Sequence, residues 1–179
     1  VIRPADAGET REAWRLAVER SGPSVLIFTR QRLPLLDLPA ARIAAGVARG
    51  AYVVAGADDA DDADPDLVVI ASGSEVHLAL AARAELASRD VRARVVSMPS
   101  WELFEEADDA YRQEVLPPSI PKLSIEAAHS MGWHRYVGDR GDVIGLERFG
   151  ASAPGDEVYA KLGFNVENVV RRGLRLLEA

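Results

Sequence analysis

The chain has 179 residues, of which 48% are apolar and 27% charged, with no cysteine and a formal net charge of −7. This composition allows a hydrophobic core and excludes disulfides and thiolate chemistry. The negative charge argues against non-specific binding to nucleic acid, although local arginines can still bind anionic metabolites. No apolar run is long enough to cross a membrane, and neither a signal peptide nor an initiating methionine is present. We therefore expect a cytoplasmic protein without nucleic-acid or membrane partners, and a piece of a longer chain.

A helix and a strand are predicted near the start of the chain. Asp6 and Glu9 have the spacing of a capping box, in which Asp6 accepts hydrogen bonds from first-turn amides. The helix that follows should end at Gly22-Pro23. Residues 24–28 are almost wholly apolar and predict a strand. The predicted buried side of the helix consists of Ala13, Trp14, Ala17 and Val18.

Arg30 is the most chemically suggestive residue of this region. It follows the predicted strand, and open α/β sheets bind ligands beyond the carboxyl ends of their strands. Its guanidinium has bidentate donors that suit phosphate and carboxylate. The residues alone nevertheless favour a structural ion pair over a ligand contact.

Residues 32–50 show no sustained helix or strand period, and Pro34 and Pro39 interrupt them. We interpret this stretch as a linker between two domains, with the boundary after residue 38. Residues 1–38 would then be a fragment of one α/β domain, because two strands and one helix cannot bury a core by themselves. Residues 39–179 would form the second domain.

The stretch 67–98 predicts a βαβ unit. Residues 67–71 are apolar without alternation, as in a strand covered on both faces, and an apolar stripe at helical spacing follows. A crossover of this length makes the two strands parallel. Ser72 and Glu75, in the turn, have capping-box spacing, and a helix amino terminus can also bind phosphate. The single glycine, Gly73, does not make a GxGxxG motif, so the cap is favoured.

Two groups of residues could be read as metal sites, and neither has the required pattern. The aspartates between residues 58 and 66 lack the glycine and glutamate of an EF-hand loop, so a solvated loop is favoured. Glu126, His129 and His134 do not match the HExxH spacing, and no cysteine can complete a zinc site.

Further strands are predicted at residues 51–55, 122–125 and 143–146, with short helices between them and a final helix capped by Asn165. Together these elements predict an α/β fold, a mostly parallel, doubly wound sheet of about five strands flanked by helices. The fragment of a second α/β domain precedes it.

Several stretches, in the same order, resemble the C-terminal portion of transketolases and together span nearly the whole chain. They include Arg3-Pro-Ala-Asp6, Thr29-Arg30-Gln31, and residues 71–76, 94–104 and 148–154, and they are specific only in combination. The resemblance implies the fold described above, with residues 1–38 as the end of the pyrimidine-binding domain and residues 39–179 as the C-terminal domain.

The resemblance also implies an activity for the full-length protein. Transketolases use thiamine diphosphate and a divalent metal, Mg²⁺ or Ca²⁺, to transfer a two-carbon ketol unit from a ketose phosphate to an aldose phosphate. They act in the pentose phosphate pathway as homodimers. The thiamine-activating glutamate and the diphosphate-metal motif lie upstream in the family. We therefore expect no catalytic, cofactor or metal residue here, and an inactive chain unless the upstream domains are supplied.

One site residue carries over from the family. The arginine of its Ser/Thr-Arg-Gln motif binds the substrate phosphate and falls on Arg30, which favours the ligand contact over the ion pair. Arg32 stands where the family often has asparagine and adds a second cation. Two alternatives remain: a related synthase (dihydroxyacetone synthase or deoxyxylulose-phosphate synthase), or a non-catalytic assembly module of a split enzyme.

Overall fold

The computed structural model of the chain describes residues 1–56 and 64–178. The helices are α1 (Ala7–Glu19), α2 (Ala40–Ala48), α3 (Glu75–Ala87), α4 (Trp101–Glu106), α5 (Asp109–Val115), α6 (His134–Val137), α7 (Gly155–Lys161) and α8 (Val166–Leu177). The strands are β1 (Tyr52–Ala55), β2 (Leu67–Ala71), β3 (Ala93–Ser97), β4 (Lys122–Ile125) and β5 (Asp142–Ile144).

The strands form one five-stranded sheet in the order β1-β3-β2-β4-β5. β2 pairs in parallel with β3 and β4, and β4 with β5, whereas β1 is antiparallel to β3. The predicted mostly parallel sheet, and the βαβ unit at its centre, are confirmed. Because β3 follows β2 on one side and β4 adds on the other, the chain reverses its direction of winding between β2 and β4.

Helices cover both faces of the sheet. On β2, Leu67, Val69 and Ala71 belong to a core that includes residues of α1, α2, α3 and α8. Val68 and Ile70 belong to a second core with residues of α4, α5 and α6. All five residues of β2 are buried, which explains why the sequence of this strand shows no alternation.

The predicted linker of residues 32–50 is wrong in its second half, because α2 lies there. Ile43 and Val47 are buried on the inner side of this helix, and Pro39 precedes its first turn rather than breaking it. Gly46 allows close packing, since a Cβ at this position would lie 2.2 Å from Cγ of Tyr52. The helix has only 9 residues, too few for a clear period in the sequence.

The predicted strand of residues 24–28 is also absent as a named strand. Leu26 makes a single parallel bridge to Ile2, and Val25 and Phe28 are 54% and 44% exposed. An apolar segment becomes a strand only where neighbouring strands pair with it, and in the described part of the chain only the Ile2 segment does so.

The predicted inner side of α1 is wrong for two of its residues. Trp14 is 56% exposed and stacks on Phe28, and Val18 is 79% exposed. The residues buried on α1 are Glu9, Glu12, Ala13 and Leu16. The helix is where it was predicted, but hydrophobicity alone gave the wrong buried side, because two of the buried positions carry carboxylates.

Most of the predicted aspartate loop lies outside the described residues. At its end, Asp66 forms an ion pair with Arg92, 2.9 Å between Oδ1 and Nη2. Among the described residues, no helix is both long enough and apolar enough to span a membrane.

Candidate functional site at the carboxyl edge of the sheet

The first residues of the chain lie across the carboxyl ends of the central strands. The Arg3 amide donates to the Pro99 carbonyl, after β3, over 2.8 Å, and the Gly73 amide, after β2, donates to the Arg3 carbonyl over 3.0 Å. Open α/β sheets bind ligands at this edge, where the direction of winding reverses. In this chain the edge is occupied by its own residues.

The Arg3 side chain fills the crevice between the loops that follow β2 and β4. Its Nη1 lies 2.6 Å from Oε2 of Glu75 and 3.6 Å from Oε1 of Glu126. The same nitrogen donates to the carbonyl and the hydroxyl of Ser72, over 2.7 and 2.9 Å. The guanidinium therefore stands where a cationic ligand group would bind.

Gly73 is the residue that lets Arg3 approach so closely. It has φ +56°, a conformation that favours glycine, and a Cβ at this position would lie 2.8 Å from Cζ of Arg3. The glycine that the sequence marks as a turn is thus required by contact with the start of the chain as well as by the turn itself.

Glu75 is fully buried beneath Arg3. Its carboxylate also accepts hydrogen bonds from the Tyr159 hydroxyl over 2.6 Å and from the Ala127 amide over 3.0 Å. Burial in itself raises the pKa of the Glu75 carboxyl, but the Arg3 charge and the hydrogen bonds from Arg3, Ser74 and Tyr159 outweigh it. The net result is a pKa below the usual value, which stabilises the ionised form.

The capping box predicted for Ser72 and Glu75 is therefore wrong. α3 is capped at Ser74, without a side-chain hydrogen bond to the backbone, and the Ser72 hydroxyl donates instead to Glu126 over 2.6 Å. Both side chains serve the junction with Arg3. A buried carboxylate at this helix start also leaves no space of suitable charge for a phosphate.

Glu126, His129 and His134 are the residues whose spacing did not match a zinc site, and the first two make other contacts in the structure. Glu126 accepts a hydrogen bond from Nε1 of the buried Trp133 over 2.8 Å, and His129 lies 2.9 Å from Glu147. Within residues 1–56 and 64–178, no group of three or more His, Cys, Asp or Glu residues is placed to hold a metal ion.

A second buried carboxylate, Glu9, also joins the start of the chain to the sheet. It accepts from the Ser97 hydroxyl over 2.6 Å, the Tyr52 hydroxyl over 2.9 Å and the Ala5 amide over 2.7 Å. No cation of the described residues forms an ion pair with it. Burial raises the pKa of Glu9, and the hydrogen bonds offset this only in part. Burial, and then Glu9, raise the pKa of Tyr52 as well, which keeps its hydroxyl a donor.

The predicted cap at Asp6 is confirmed. Its Oδ1 accepts from the Glu9 amide over 2.7 Å, and its Oδ2 accepts from the Leu36 amide over 2.8 Å. Asp6 therefore ties the start of α1 to Leu36, in the segment that leads to α2. Glu9 departs from the simple capping box, since its carboxylate reaches back to Ala5 rather than to Asp6.

Arg30 lies at a bend earlier in this segment and is exposed. Next to it is a shallow groove of about 270 Å³, bordered by Asp6, Phe28, Thr29 and Gln31. The Thr29 hydroxyl donates to the Gln31 side chain over 3.0 Å, which holds the turn. Arg30 itself makes no ion pair with any described residue, so the alternative of a structural ion pair is not supported by the described part of the chain. The phosphate contact stays a prediction.

The fold is thus a doubly wound α/β domain whose carboxyl edge is occupied by the segment that precedes it in the chain. The family model "Transketolase-like TK C-terminal domain" matches residues 50–165 of this chain, and the chain belongs to that family. The resemblance seen in the sequence, and the fold it implied, are thereby confirmed.

Curated relatives extend the match beyond this domain. The transketolase of Geobacillus stearothermophilus is 50% identical over 179 residues, which cover 99% of this chain and 26% of the relative. The Bacillus subtilis transketolase is 49% identical, covering 96% of this chain and 26% of the relative. A solved transketolase from Leishmania mexicana aligns with a TM-score of 0.87 and 44% identity, covering 99% of this chain and 25% of that one. The chain thus spans about a quarter of the length of these relatives.

Sequence reasoning missed the two buried glutamates and the role of Arg3. Arg3 lies within the Arg3-Pro-Ala-Asp6 motif, but the motif alone does not show that the Arg3 charge pairs with Glu75. A usable signal was the acidic Glu75 at the start of α3, just past the turn that follows the wholly apolar β2. A carboxylate so close to a buried strand needs a partner if it is buried as well.

Proposed function

We propose that this chain is the C-terminal part of a thiamine-diphosphate-dependent transketolase, which transfers a two-carbon ketol unit from a ketose phosphate to an aldose phosphate. The single observation that carries the proposal is the 50% identity to a curated transketolase over 99% of the chain. The full-length enzyme would be a cytoplasmic homodimer of the pentose phosphate pathway.

Arg30 is proposed to bind the phosphate of the sugar substrate. Its side chain is exposed and forms no ion pair with a described residue, so it is accessible to an anion, and its neighbours Thr29 and Gln31 border a groove. A guanidinium can bind phosphate oxygens in a bidentate manner, which fixes orientation as well as charge. The hydrogen bond from the Thr29 hydroxyl to the Gln31 side chain holds the turn that carries Arg30.

The described residues do not fit thiamine diphosphate or its metal ion. Glu75 is already neutralised by Arg3, and Glu9 is buried beneath Tyr52 and Ser97, so neither carboxylate can serve as a metal ligand. The cofactor, which when bound stabilises a carbanion, would be held by upstream domains. We expect the isolated 179-residue chain to be inactive and not to bind thiamine diphosphate. Heat released on titration of this chain with the cofactor and Mg²⁺ would contradict that expectation.

The test uses the full-length gene product with thiamine diphosphate and Mg²⁺. Formation of sedoheptulose 7-phosphate from xylulose 5-phosphate and ribose 5-phosphate is measured for the parent and for Arg30→Ala. We expect activity in the parent and a raised KM in the variant, about 10-fold or more, because one charge-assisted phosphate contact is lost.

Two further variants make this test specific. Arg30→Lys keeps the charge but loses the bidentate donors, so its KM should lie between those of the parent and Arg30→Ala. Arg32→Ala removes the neighbouring cation and should raise KM less than Arg30→Ala does. An inactive parent would favour the related synthases or the assembly module. An active parent indifferent to Arg30→Ala would keep the enzyme but remove this site.

A further inference from the structure

A second cavity opens at the opposite, amino edge of the sheet, far from the junction with Arg3. It has a volume of about 710 Å³ and lies between α5, the start of β4 and the loop after α6. We call it the basic pocket. The charged residues that line it are Arg112, Lys122, Arg135, Arg140, Glu105 and Asp139.

The charge of the basic pocket opposes that of the whole chain. Its lining has four cations and two carboxylates, in a chain whose net charge is −7. Glu105 is already engaged, because Arg112 and Arg135 both donate to its Oε2, over 3.2 and 2.5 Å. The two cations of the lining that form no ion pair with a described carboxylate lie near the start of β4.

Lys122 and Arg140 are these two cations. Lys122 is only 6% exposed, and its Nζ donates to the Ile120 carbonyl over 2.8 Å. Arg140 donates to the Ser119 carbonyl over 2.9 Å. Neither forms an ion pair with a carboxylate of the described residues. A buried ammonium beside a second cation is costly unless an anion compensates both.

The electrostatics of Lys122 agree with this geometry. Burial, and then the nearby Arg140, lower the pKa of its ammonium group. An anion placed between the two cations would reverse the second effect, so ion binding and protonation of Lys122 should support each other.

The remaining wall of the basic pocket is apolar. Tyr136 and Leu116 are 9% and 8% exposed, and Ile120 and Pro121 lie beside them. A ligand with a charged group at Lys122 could therefore place an organic part against these side chains. The carboxyl edge offers no equivalent space, because Arg3 fills it.

We propose that the basic pocket binds a small organic phosphate, with Lys122 and Arg140 contacting the phosphate group and Tyr136 packing against the organic part. This site is separate from the substrate contact proposed for Arg30. It gives the C-terminal domain a ligand-binding role of its own.

The test measures binding of inorganic phosphate, the common part of any such ligand, to the full-length gene product by calorimetry, with chloride at matched ionic strength as reference. Lys122→Met/Arg140→Gln should bind phosphate about 10-fold or more weakly than the parent, because two charge-assisted contacts are lost. Arg11→Gln, an exposed cation outside the basic pocket, is the matched control and should bind as the parent does.

Two variants keep the outcome decisive. Arg140→Gln alone changes an exposed side chain, so it should fold even if the buried Lys122 cannot be replaced, and it should still weaken binding. Arg30→Ala should leave this phosphate-binding component intact. Parent-like binding by Arg140→Gln and the double variant, no preference of the parent for phosphate over chloride, or loss of all binding in Arg30→Ala would each overturn the proposal.

Discussion

Glu9 and Glu75 are the same residue type, both fully buried, and both join the first residues of the chain to the sheet. Their surroundings differ in one respect. Glu75 has a cation, Arg3, at 2.6 Å, whereas Glu9 has only hydroxyl and amide donors. The pKa of Glu75 is lowered and that of Glu9 is raised.

The comparison teaches that burial alone does not decide the charge of a carboxyl group. Burial raises the pKa at both positions, and hydrogen bonds lower it at both. At Glu75 the Arg3 charge, together with the hydrogen bonds from Arg3, Ser74 and Tyr159, reverses the balance. The junction at the carboxyl edge of the sheet is therefore ionic at Glu75. At Glu9 it consists of hydrogen bonds without an ion pair to a described residue. Substitutions should affect the two points differently.

Removal of the cation at the ionic point should have the largest effect. Arg3→Met leaves Glu75 buried without a countercharge and should lower the free energy of unfolding by about 3–5 kcal/mol. Urea denaturation of the chain, followed by tryptophan fluorescence, measures this loss. Trp133 is a suitable reporter because it bonds to Glu126 in the same junction.

The double variant Arg3→Met/Glu75→Gln provides the control. Glutamine removes the stranded charge, so the double variant should be more stable than Arg3→Met alone. Strictly additive losses in the two single variants would show that Arg3 and Glu75 do not interact, and would contradict the ionic interpretation.

A matched pair of substitutions, each of which removes one tyrosine hydroxyl, should distinguish the two glutamates through smaller losses of stability. Tyr159→Phe removes a donor to the charged Glu75 and should cost about 1.5–3 kcal/mol, whereas Tyr52→Phe removes a donor to Glu9 and should cost about 1 kcal/mol. Burial, and then Glu75, raise the pKa of Tyr159 to about 12, so its hydroxyl stays a donor at neutral pH. The same denaturation assay applies, and equal losses would remove the distinction.

Gly73→Ala tests the close approach of Arg3 to the turn after β2. An alanine at φ +56° costs about 1–2 kcal/mol in backbone strain, and its Cβ would also displace Arg3. Gly22→Ala is the control, because Gly22 also has positive φ but no atom within 4 Å of a Cβ. A larger loss of stability at Gly73 than at Gly22 isolates the contact with Arg3; equal losses would show strain alone.

The sequence predicted the parts of the fold that depend on local or repeated patterns. The apolar run of β2, the cap at Asp6 and the parallel βαβ unit all follow from residues close together in the chain. The prediction of a strand at residues 24–28 was wrong because strand formation depends on pairing with neighbouring strands, which the local sequence does not show. The helix α2 was missed because its 9 residues are too few to show a clear helical period.

The candidate site was harder to predict than the fold. Arg30 could be found because a motif of consecutive residues marks it, and its phosphate contact stays a prediction. The ion pair of Arg3 and Glu75 joins residues distant in the chain, so no spacing rule reveals it. The same holds for Glu9, whose donors Tyr52 and Ser97 come from two different strands.

The opposite pKa shifts of Glu9 and Glu75 are tested most directly by the pH dependence of stability in Glu9→Gln and Glu75→Gln, measured by urea denaturation. The pKa of a glutamate in the unfolded chain is about 4.3. Glu75, with a lowered pKa, contributes stability that is present above this value and is lost as the pH falls through its folded pKa. Glu9, with a raised pKa, contributes stability that is present below it and is lost as the pH rises through its folded pKa.

As the pH rises, the stability of the parent relative to Glu75→Gln should therefore increase at acidic pH, below about 4.3, whereas its stability relative to Glu9→Gln should decrease above about 4.3. Opposite slopes would establish that the two buried carboxyl groups are shifted in opposite directions. Slopes of the same sign would contradict the account.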